Sequence, residues 1–412
     1  MDKKRELEQK CNHLLEMFPV VAVIGARQCG KSTFVKNLRP NWKYYDLESP
    51  DHYQLISSDP VAFFEINRDN IIIDEAQQYP ELFRVLRGVI DKERGKRGRF
   101  ILTGSSSPDI ISGINESLAG RIATIEMSPF KQSEMYGEDA SLLYTMITNT
   151  SVKLADFNLL QPLTSLKNTM SIWLNGGFPE PFIIGGSEPL FHKQWMENYI
   201  ANYVGRDIRA LFPRLNIHAF KQFLTLLAQF SGHQLNMSNM ARAIAVSVPT
   251  IKEYLEIIHH TFLWRNLSAY TKNPLKKVQK SKKGLFRDQG MLHHLLKIDS
   301  VDDLLLHPVA GLSFESFVIE ELIRGLQATM ATQLEFSYYR TVDRSEVDLI
   351  IEGDFGMVPV EVKLNSIVDA RSLTGLNNFI SDMQVDYGIV INRGKRVEQL
   401  SDKIIQIPVN YI

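Results

Sequence analysis

The sequence contains only two cysteines, Cys11 and Cys29. Two thiols cannot build a disulfide framework or a four-ligand zinc site, and so few cysteines fit a reducing compartment. Long apolar runs are also missing: nowhere do about 18 apolar residues follow one another, and the charged N-terminus lacks the apolar core of a signal peptide. We therefore expect a soluble, cytoplasmic protein with no membrane partner.

Neither sign of charge is in excess. Lysine and arginine total 46, aspartate and glutamate total 47, and the formal net charge is −1. Any affinity for a polyanion must therefore come from local clusters of basic residues. With 412 residues, 44% of them hydrophobic and 23% charged, the chain is too long for one domain and too apolar to be disordered. About two to four packed domains are expected.

Short apolar runs outline an α/β fold at the start of the chain. The run from Phe18 to Gly25 is rich in valine and isoleucine, and similar runs at Ile71–Ile73 and Phe100–Leu102 are separated by helical patterns. Such runs are typical of strands buried in a parallel sheet. The changes of pattern along the chain predict a P-loop α/β domain at 1–135, a helical lid and connector at 136–215, a winged-helix-like domain at 216–295 and a second α/β domain at 305–412.

A phosphate-binding motif follows the first apolar run. The segment Gly25-Ala-Arg-Gln-Cys-Gly30-Lys31-Ser32 fits G-x-x-x-x-G-K-[ST] and lies between a predicted strand and a predicted helix. In such a loop, backbone N–H groups hold phosphate oxygens, Lys31 reaches the outer phosphates and Ser32 binds Mg²⁺. The motif predicts ATP as the bound nucleotide. The predicted nucleotide-binding residues are Gly25, Ala26, Arg27, Gln28, Cys29, Gly30, Lys31, Ser32 and Thr33.

Two acidic residues follow three isoleucines at the end of the second run. Asp74 is expected to hold Mg²⁺ through water, and Glu75 is the natural general base for the attacking water. The third run ends in hydroxyl residues that can sense the γ-phosphate or orient the attacking water. Ser105 is the predicted residue for this role, although turn chemistry also explains a serine there. Arg121 and Arg206 are candidates for an arginine finger that acts on a neighbouring subunit, the alternative being ordinary surface or ion-paired arginines.

The order of these motifs resembles one family. The chain carries the P-loop, Asp74-Glu75, Leu102-Thr-Gly-Ser105, Ala119-Gly-Arg121, Gly176-Gly-Phe-Pro-Glu180 and Tyr199-Ile-Ala-Asn-Tyr-Val-Gly-Arg-Asp207. Together they look like the prokaryotic AAA+ ATPases whose C-terminal domain is similar to archaeal ATPases and to PD-(D/E)XK nucleases. The resemblance covers nearly the whole chain. It implies a homo-oligomeric, ring-forming ATPase, commonly a hexamer.

A basic segment lies between 272 and 287, where no acidic residue interrupts the lysines. It follows two predicted helices joined by a Ser247-Val-Pro turn, so the order resembles a helix-turn-helix with a wing that lies along a phosphate backbone. A solvated flexible loop is the alternative. The predicted nucleic-acid contacts are Lys272, Lys276, Lys277, Lys280, Lys282 and Lys283.

The last domain carries a nuclease-like pattern. Asp348 lies on one predicted strand, and Glu361 and Lys363 share a face of the next. If the two strands are neighbours, two carboxylates can share a divalent metal while the lysine orients or deprotonates a water. Glu315, on the preceding helix, resembles the accessory acid of resolvase-like nucleases. The predicted ligands Glu315, Asp348 and Glu361 suit Mg²⁺ or Mn²⁺. Such a domain either cuts DNA or only binds it.

These patterns favour an ATP-hydrolysing motor that acts on DNA, expected to be branched, junction or single-stranded, with translocation or branch migration as its work. Metal-dependent cleavage is a further expectation. The alternative is an ATP-dependent switch in signalling or defence, in which the C-terminal domain binds a nucleic acid or a protein partner.

Overall fold

The computed structural model describes residues 3–105, 118–184, 188–209, 212–271, 282–341 and 345–412. The chain divides into two compact units. The first comprises Lys4–Pro129 with His260–Phe262, and the second comprises Phe130–His259 with Leu263–Ile412. In the described ranges, no helix is both long and apolar enough to cross a lipid bilayer.

The first unit is built on a parallel sheet. Its strands are β1 (Val20–Ile24), β2 (Lys43–Asp46), β3 (Ile71–Asp74), β4 (Phe100–Gly104) and β5 (Ile122–Glu126). Their order in the sheet is β2-β3-β4-β1-β5, and every neighbouring pair is parallel. The strands β1, β3 and β4 are buried along their whole length, as their continuous apolar runs predict. The parallel order brings the carboxyl ends of β1, β3 and β4 to one edge of the sheet.

Helices cover this sheet. They are α1 (Leu7–Met17), α2 (Lys31–Leu38), α3 (Pro50–Ser57), α4 (Pro60–Ile66) and α5 (Leu82–Lys92), with a short 3₁₀ turn at Ala76–Gln78. The helix α5 has an apolar stripe because Leu82, Leu86 and Ile90 recur every four residues, and all three are buried. The core of this unit also contains Phe63, Phe64 and isoleucines of β3.

The second unit begins with helices. Its helices are α6 (Gln132–Tyr136), α7 (Leu142–Ile147), α8 (Leu166–Asn175), α9 (Pro179–Ile183), α10 (Pro189–Asn202), α11 (Ile217–Ala228), α12 (Met237–Ala243), α13 (Val248–His260), α14 (Gln289–Leu296), α15 (Val301–Leu306), α16 (Ala310–Ala328) and α17 (Thr374–Met383). Shorter helical turns lie at Leu154–Leu159, Tyr203–Ile208, Ala370–Leu373 and Val409–Tyr411.

An eight-stranded mixed sheet completes the second unit. Its strands are β6 (Trp264–Ala269), β7 (Lys283–Phe286), β8 (Glu335–Arg340), β9 (Glu346–Gly353), β10 (Gly356–Lys363), β11 (Gly388–Asn392), β12 (Glu398–Ser401) and β13 (Ile404–Pro408). The order is β12-β13-β11-β10-β9-β8-β6-β7. The hairpin of β6 and β7 joins this sheet through parallel pairing of β6 with β8. The predicted boundaries at 136, 216 and 305 therefore fall inside one compact unit.

Most residues of the helix α16 are buried. Its apolar residues, among them Phe314, Val318 and Leu322, pack in one core with residues of β10 and β11. The same helix buries three glutamates, Glu315, Glu320 and Glu321. Burying a carboxylate is costly unless a cation pairs with it. The partners of these glutamates therefore decide whether they can bind anything else.

Candidate functional site

The P-loop connects β1 to α2 and takes the backbone path that its glycines allow. Gly30 has φ of 97° immediately before α2, a conformation that disfavours any side chain. A Cβ atom on Gly25 would lie 1.9 Å from the carbonyl oxygen of Met127. Both glycines are therefore required for the backbone of this loop to approach its neighbours and a phosphate chain.

Lys31 is buried at the start of α2. Its Nζ donates hydrogen bonds of 3.0 Å to the carbonyl oxygens of Gly25 and Ala26. The ammonium group is thus held over the loop, within reach of the place where the outer phosphates of a nucleotide bind. Of the other predicted residues, Cys29 donates from Sγ to the Met127 oxygen at 3.3 Å, and Arg27 pairs with Glu48 at 3.2 Å.

The rest of the loop is arranged by backbone geometry and exposure. Gln28 adopts a left-handed conformation with φ of 61°. Ser32 is half-buried, whereas the side chain of Thr33 is exposed on the first turn of α2. Ser32 is therefore the less exposed of the two hydroxyl residues.

Asp74 ends β3 and is buried. Its carboxylate accepts hydrogen bonds from the hydroxyls of Thr103 and Tyr44. The Tyr44 hydroxyl also hydrogen-bonds the side chain of Ser32. Burial, followed by the bond to Asp74, raises the pKa of Tyr44 far above its ordinary value, so the phenol stays protonated at neutral pH.

Ser32 and Asp74 therefore converge on one point, because both side chains reach the same phenol oxygen. Hydroxyl and carboxylate oxygens are the ligands that Mg²⁺ prefers, directly or through water. The residues present at this end of β3 thus fit the magnesium ion that accompanies a nucleotide.

Glu75 follows Asp74 in a left-handed conformation with φ of 52°. Its Oε2 accepts a 2.6 Å hydrogen bond from the Ser105 hydroxyl, a 3.2 Å bond from the Ser105 N–H and a further bond from the Gln77 amide. Its own N–H donates to the Thr103 hydroxyl at 3.1 Å. Ser105, predicted to sense the γ-phosphate or orient the water, thus contacts the candidate base, and its role in the reaction stays a prediction.

Three further side chains at this site had no role assigned to them from the sequence. Arg5 is buried and donates to the carbonyl oxygens of Cys29 at 3.0 Å and Ser128 at 2.5 Å, so it supports the P-loop backbone. Tyr44 and Thr103 hold Asp74 from the two strands beside β3. Thr103 lay in the Leu-Thr-Gly-Ser motif, but Arg5 and Tyr44 are recognised only once the chain is folded.

Of the two candidate arginine fingers, the structure describes the side chain of Arg121 but not that of Arg206. Arg121 forms a bidentate pair with Asp91 at 2.9 and 3.0 Å within the same chain, and this hydrogen bond lowers the pKa of Asp91. Arg206 lies on the helical turn at Tyr203–Ile208, and its side chain lies outside the described residues. A role of either arginine in a neighbouring subunit stays a prediction.

The second unit brings the nuclease-like residues into one cavity. The cavity has a volume of about 390 Å³, and Glu315, Asp348, Glu361 and Lys363 all line it. Asp348 and Glu361 come from the neighbouring antiparallel strands β9 and β10, and Glu315 comes from α16. The predicted grouping of these four residues is therefore present in the fold.

Each of these three carboxylates already has a partner, either a lysine or a backbone N–H. Glu315 pairs with Lys283, Glu361 accepts a 2.6 Å bond from Lys363, and Asp348 accepts a 2.8 Å bond from a backbone N–H of β10. Burial raises the pKa of both Glu315 and Glu361, and the nearby Asp348 adds to the effect. Within the described ranges, no group of three or more His, Cys, Asp or Glu side chains is arranged to hold a metal ion.

The basic segment is described only at its end. Lys272, Lys276, Lys277 and Lys280 lie outside the described residues, and Lys282 is exposed. Lys283 was predicted to contact nucleic acid, but it is 4% exposed and its ammonium group pairs with Glu315. The prediction for Lys283 is therefore corrected: β7 turns this side chain into the cavity, away from solvent.

Family comparisons divide the chain into three parts. Residues 17–136 match the family described as "AAA domain". Together with the P-loop, the acidic end of β3 and the parallel sheet, this match decides the nature of the first unit. It is a P-loop ATPase domain of the AAA type. Residues 166–302 and 310–412 match two families described as domains of unknown function, DUF8612 and DUF4143.

Similar whole chains and structures are also found. Uncharacterized proteins of Mycobacterium bovis and Mycobacterium tuberculosis are each 29% identical over 415 aligned residues, covering 100% of this chain and 84% of theirs. A Walker-type ATPase of Pyrococcus abyssi is 15% identical, covering 72% of this chain and 96% of its own, with a TM-score of 0.44. The Orc1 protein of Aeropyrum pernix in complex with DNA is 9% identical, covering 72% and 93%, with a TM-score of 0.30.

Proposed function

We propose that this protein hydrolyses ATP at the edge formed by β1, β3 and β4 and uses the energy to act on DNA. The observation that carries the hydrolytic half is the placement of Glu75. Its carboxylate stands beside Asp74 at the end of β3 and is held by Ser105 and Gln77. A site that only bound nucleotide would not need a second carboxylate fixed by three hydrogen bonds.

Binding of ATP uses the P-loop. The backbone N–H groups between Gly25 and Lys31, with those at the start of α2, would donate hydrogen bonds to the phosphate oxygens. Lys31 is placed to transfer its hydrogen bonds from the Gly25 and Ala26 carbonyls to the outer phosphates. Ser32 and Asp74 would hold Mg²⁺, which neutralises charge on the phosphates when it is bound.

Hydrolysis uses Glu75 as general base. Hydrogen bonds fix its Oε2, which leaves Oε1 to accept a proton from the water that attacks the γ-phosphorus. The Thr103 hydroxyl links the two acidic residues, since it donates to Asp74 and accepts from the N–H of Glu75. This link fixes the distance between the metal-holding carboxylate and the base.

The DNA half of the proposal depends on the second unit. The helices α12 and α13 are followed by the hairpin of β6 and β7, which is the order of a winged helix. The sequence between the two hairpin strands carries Lys272, Lys276, Lys277 and Lys280, and the exposed Lys282 follows. A lysine-rich connection of this kind binds phosphates with little sequence preference. Branched and single-stranded DNA are the forms to test first.

The proposal includes a homo-oligomeric ring, commonly a hexamer in the ATPases that the sequence resembles. In such a ring, Arg121 or Arg206 would complete the nucleotide site of the next subunit. For Arg121 this requires release from Asp91, the partner it contacts in the single chain.

A second candidate function is an ATP-dependent switch in signalling or defence. One observation favours it: in the cavity of the second unit, Glu315 and Glu361 are paired with lysines. This arrangement suits binding or a structural role more than cleavage of DNA. In this case ATP turnover would change the affinity of the second unit for a nucleic acid or a protein partner.

ATP hydrolysis in the presence of different DNA forms separates the two candidates. The full chain is assayed with no DNA and with single-stranded, duplex and four-way-junction DNA, with Lys31→Ala as the inactive control. The motor predicts stimulation by at least one DNA form. It also predicts that replacing Lys276 and Lys277 by alanine weakens DNA binding and lowers its salt dependence. A turnover rate indifferent to every DNA form contradicts the motor and supports the switch.

A further inference from the structure

The cavity of the second unit contains nearly balanced charge. Two lysines and one arginine line it together with four carboxyl groups, and Lys283 is the most buried of the three cations. The charged residues that line the cavity are Lys283, Arg340, Lys363, Glu315, Glu346, Asp348 and Glu361. An acidic cavity built for a divalent ion would leave most of this negative charge for the ion to neutralise.

Lys283 reaches the cavity because of its place in the sheet. It begins β7, pairs in register with Leu267 of β6 and forms a bridge to Gln234. Its ammonium group pairs with Glu315 and lies 3.8 Å from a carboxylate oxygen of Glu346. A fully buried lysine keeps its charge only where carboxylates surround it, and these two supply that environment.

The predicted metal ligands do not fit a divalent ion in this arrangement. A metal shared by Glu315, Asp348 and Glu361 would need oxygens from all three to point at one centre. Instead, Glu315 pairs with Lys283, Glu361 accepts a hydrogen bond from Lys363, and Asp348 accepts one from a backbone N–H. A divalent ion placed here would also lie beside a buried ammonium group, and the like charges would repel strongly at low dielectric.

We propose that Lys283 is the resident cation of this cavity and takes the place that a divalent metal has in nucleases of similar topology. The second unit is then a metal-independent binding module, and its carboxylates serve to anchor the β6–β7 hairpin to α16. One oxygen remains open: Oε2 of Glu361 is buried without a hydrogen-bond partner in the part of the chain that the structure describes. That oxygen is the position at which a metal would bind once the lysine is removed.

Mn²⁺ binding by the nucleotide-free full chain tests this proposal, with electron paramagnetic resonance to count free ion. The P-loop contributes equally to all variants, since none of them alters the first unit. We expect the wild type and Asp348→Asn to give the same titration. Lys283→Met, which keeps the length of the side chain and removes its charge, should bind Mn²⁺ at least about tenfold more tightly than wild type. The matched control is Lys282→Met, because Lys282 is the exposed neighbour.

The outcomes are distinct. A gain of Mn²⁺ binding in Lys283→Met that disappears in the double variant with Glu361→Gln supports the proposal. Wild-type binding that is lost in Asp348→Asn overturns it, whatever the folding of the Lys283 variant. An unchanged titration in folded Lys283→Met also overturns it, because the lysine would then not be what excludes the ion. These results do not depend on ATPase activity, so they stand apart from the test of the motor.

Discussion

The hydroxyl of Ser105 donates a 2.6 Å hydrogen bond to Oε2 of Glu75. The two residues are 30 positions apart in the chain and meet because β3 and β4 are neighbours in the parallel sheet. The contact makes Ser105 a candidate for positioning the proposed base. It also separates two mechanisms, since a γ-phosphate sensor would affect ATP binding and a positioning residue would affect the chemical step.

We expect Ser105→Ala to lower kcat about tenfold with little change in KM, because the base loses one of the hydrogen bonds that orient it. Steady-state ATPase kinetics measure the split. Ser105→Thr keeps the hydroxyl and should retain most of the activity. A variant with raised KM and normal kcat would instead assign Ser105 to the γ-phosphate, as the sequence first indicated.

Tyr44→Phe should weaken the binding of Mg²⁺ at the nucleotide site. The phenol hydroxyl donates to Asp74 and bonds Ser32, so its loss leaves both residues less fixed. We expect the Mg²⁺ concentration for half-maximal ATPase activity to rise about three- to tenfold. Tyr45→Phe is the matched control, because the Tyr45 hydroxyl reaches Asn67 and not the acidic residues. Equal Mg²⁺ titrations for both variants would show that Tyr44 does not position these residues.

The burial of His293 predicts that the protein loses stability in acid. It is 1% exposed, its nitrogens contact the Leu174 carbonyl and the Ser313 hydroxyl, and burial lowers its pKa to about 4 from 6.5. His293 therefore binds a proton below about pH 6.5 in the unfolded chain, but only below about pH 4 in the folded chain. The free energy of unfolding should fall across this window by about 3 kcal/mol on account of His293.

Urea unfolding at pH 7.5 and pH 5 measures this effect. His293→Gln keeps a polar side chain without a titrating group, so its stability should depend less on pH than that of the wild type. His260→Gln, a substitution at a half-buried histidine, is the matched control. The same pH dependence in wild type and His293→Gln would contradict the assignment.

The position of the candidate nucleotide site in the fold was largely readable from the sequence, because its motifs are local. The P-loop needs fixed spacings of glycine, lysine and serine between a strand and a helix, and Asp74-Glu75 needs only to end a buried strand. Both features survive folding unchanged, and the AAA match at 17–136 confirms the ATPase type of this segment. The partners of these residues were not readable, since Tyr44 and Arg5 reach the site only through the packing of β2 and the N-terminus.

The burial of residues in the basic segment, in contrast, could not be predicted from the sequence. Counting lysines and arginines between 272 and 287 treats each as exposed, but Lys283 and Arg287 are buried against Glu315 and Glu320. The reason is the pairing of β6 with β8, which draws the hairpin into the C-terminal sheet. A long-range strand pairing of this kind has no local sequence signal, and it changes two surface charges into internal ones.

The measurement that tests the central claim most directly is ATP binding and turnover by Glu75→Gln. If Glu75 is the general base, the variant should bind ATP with an affinity close to that of the wild type and hydrolyse it at least about 100-fold more slowly. Lys31→Ala, which removes the cation that holds the phosphates, should lose binding as well. Turnover by Glu75→Gln at the wild-type rate would contradict the account, because another group would then activate the water.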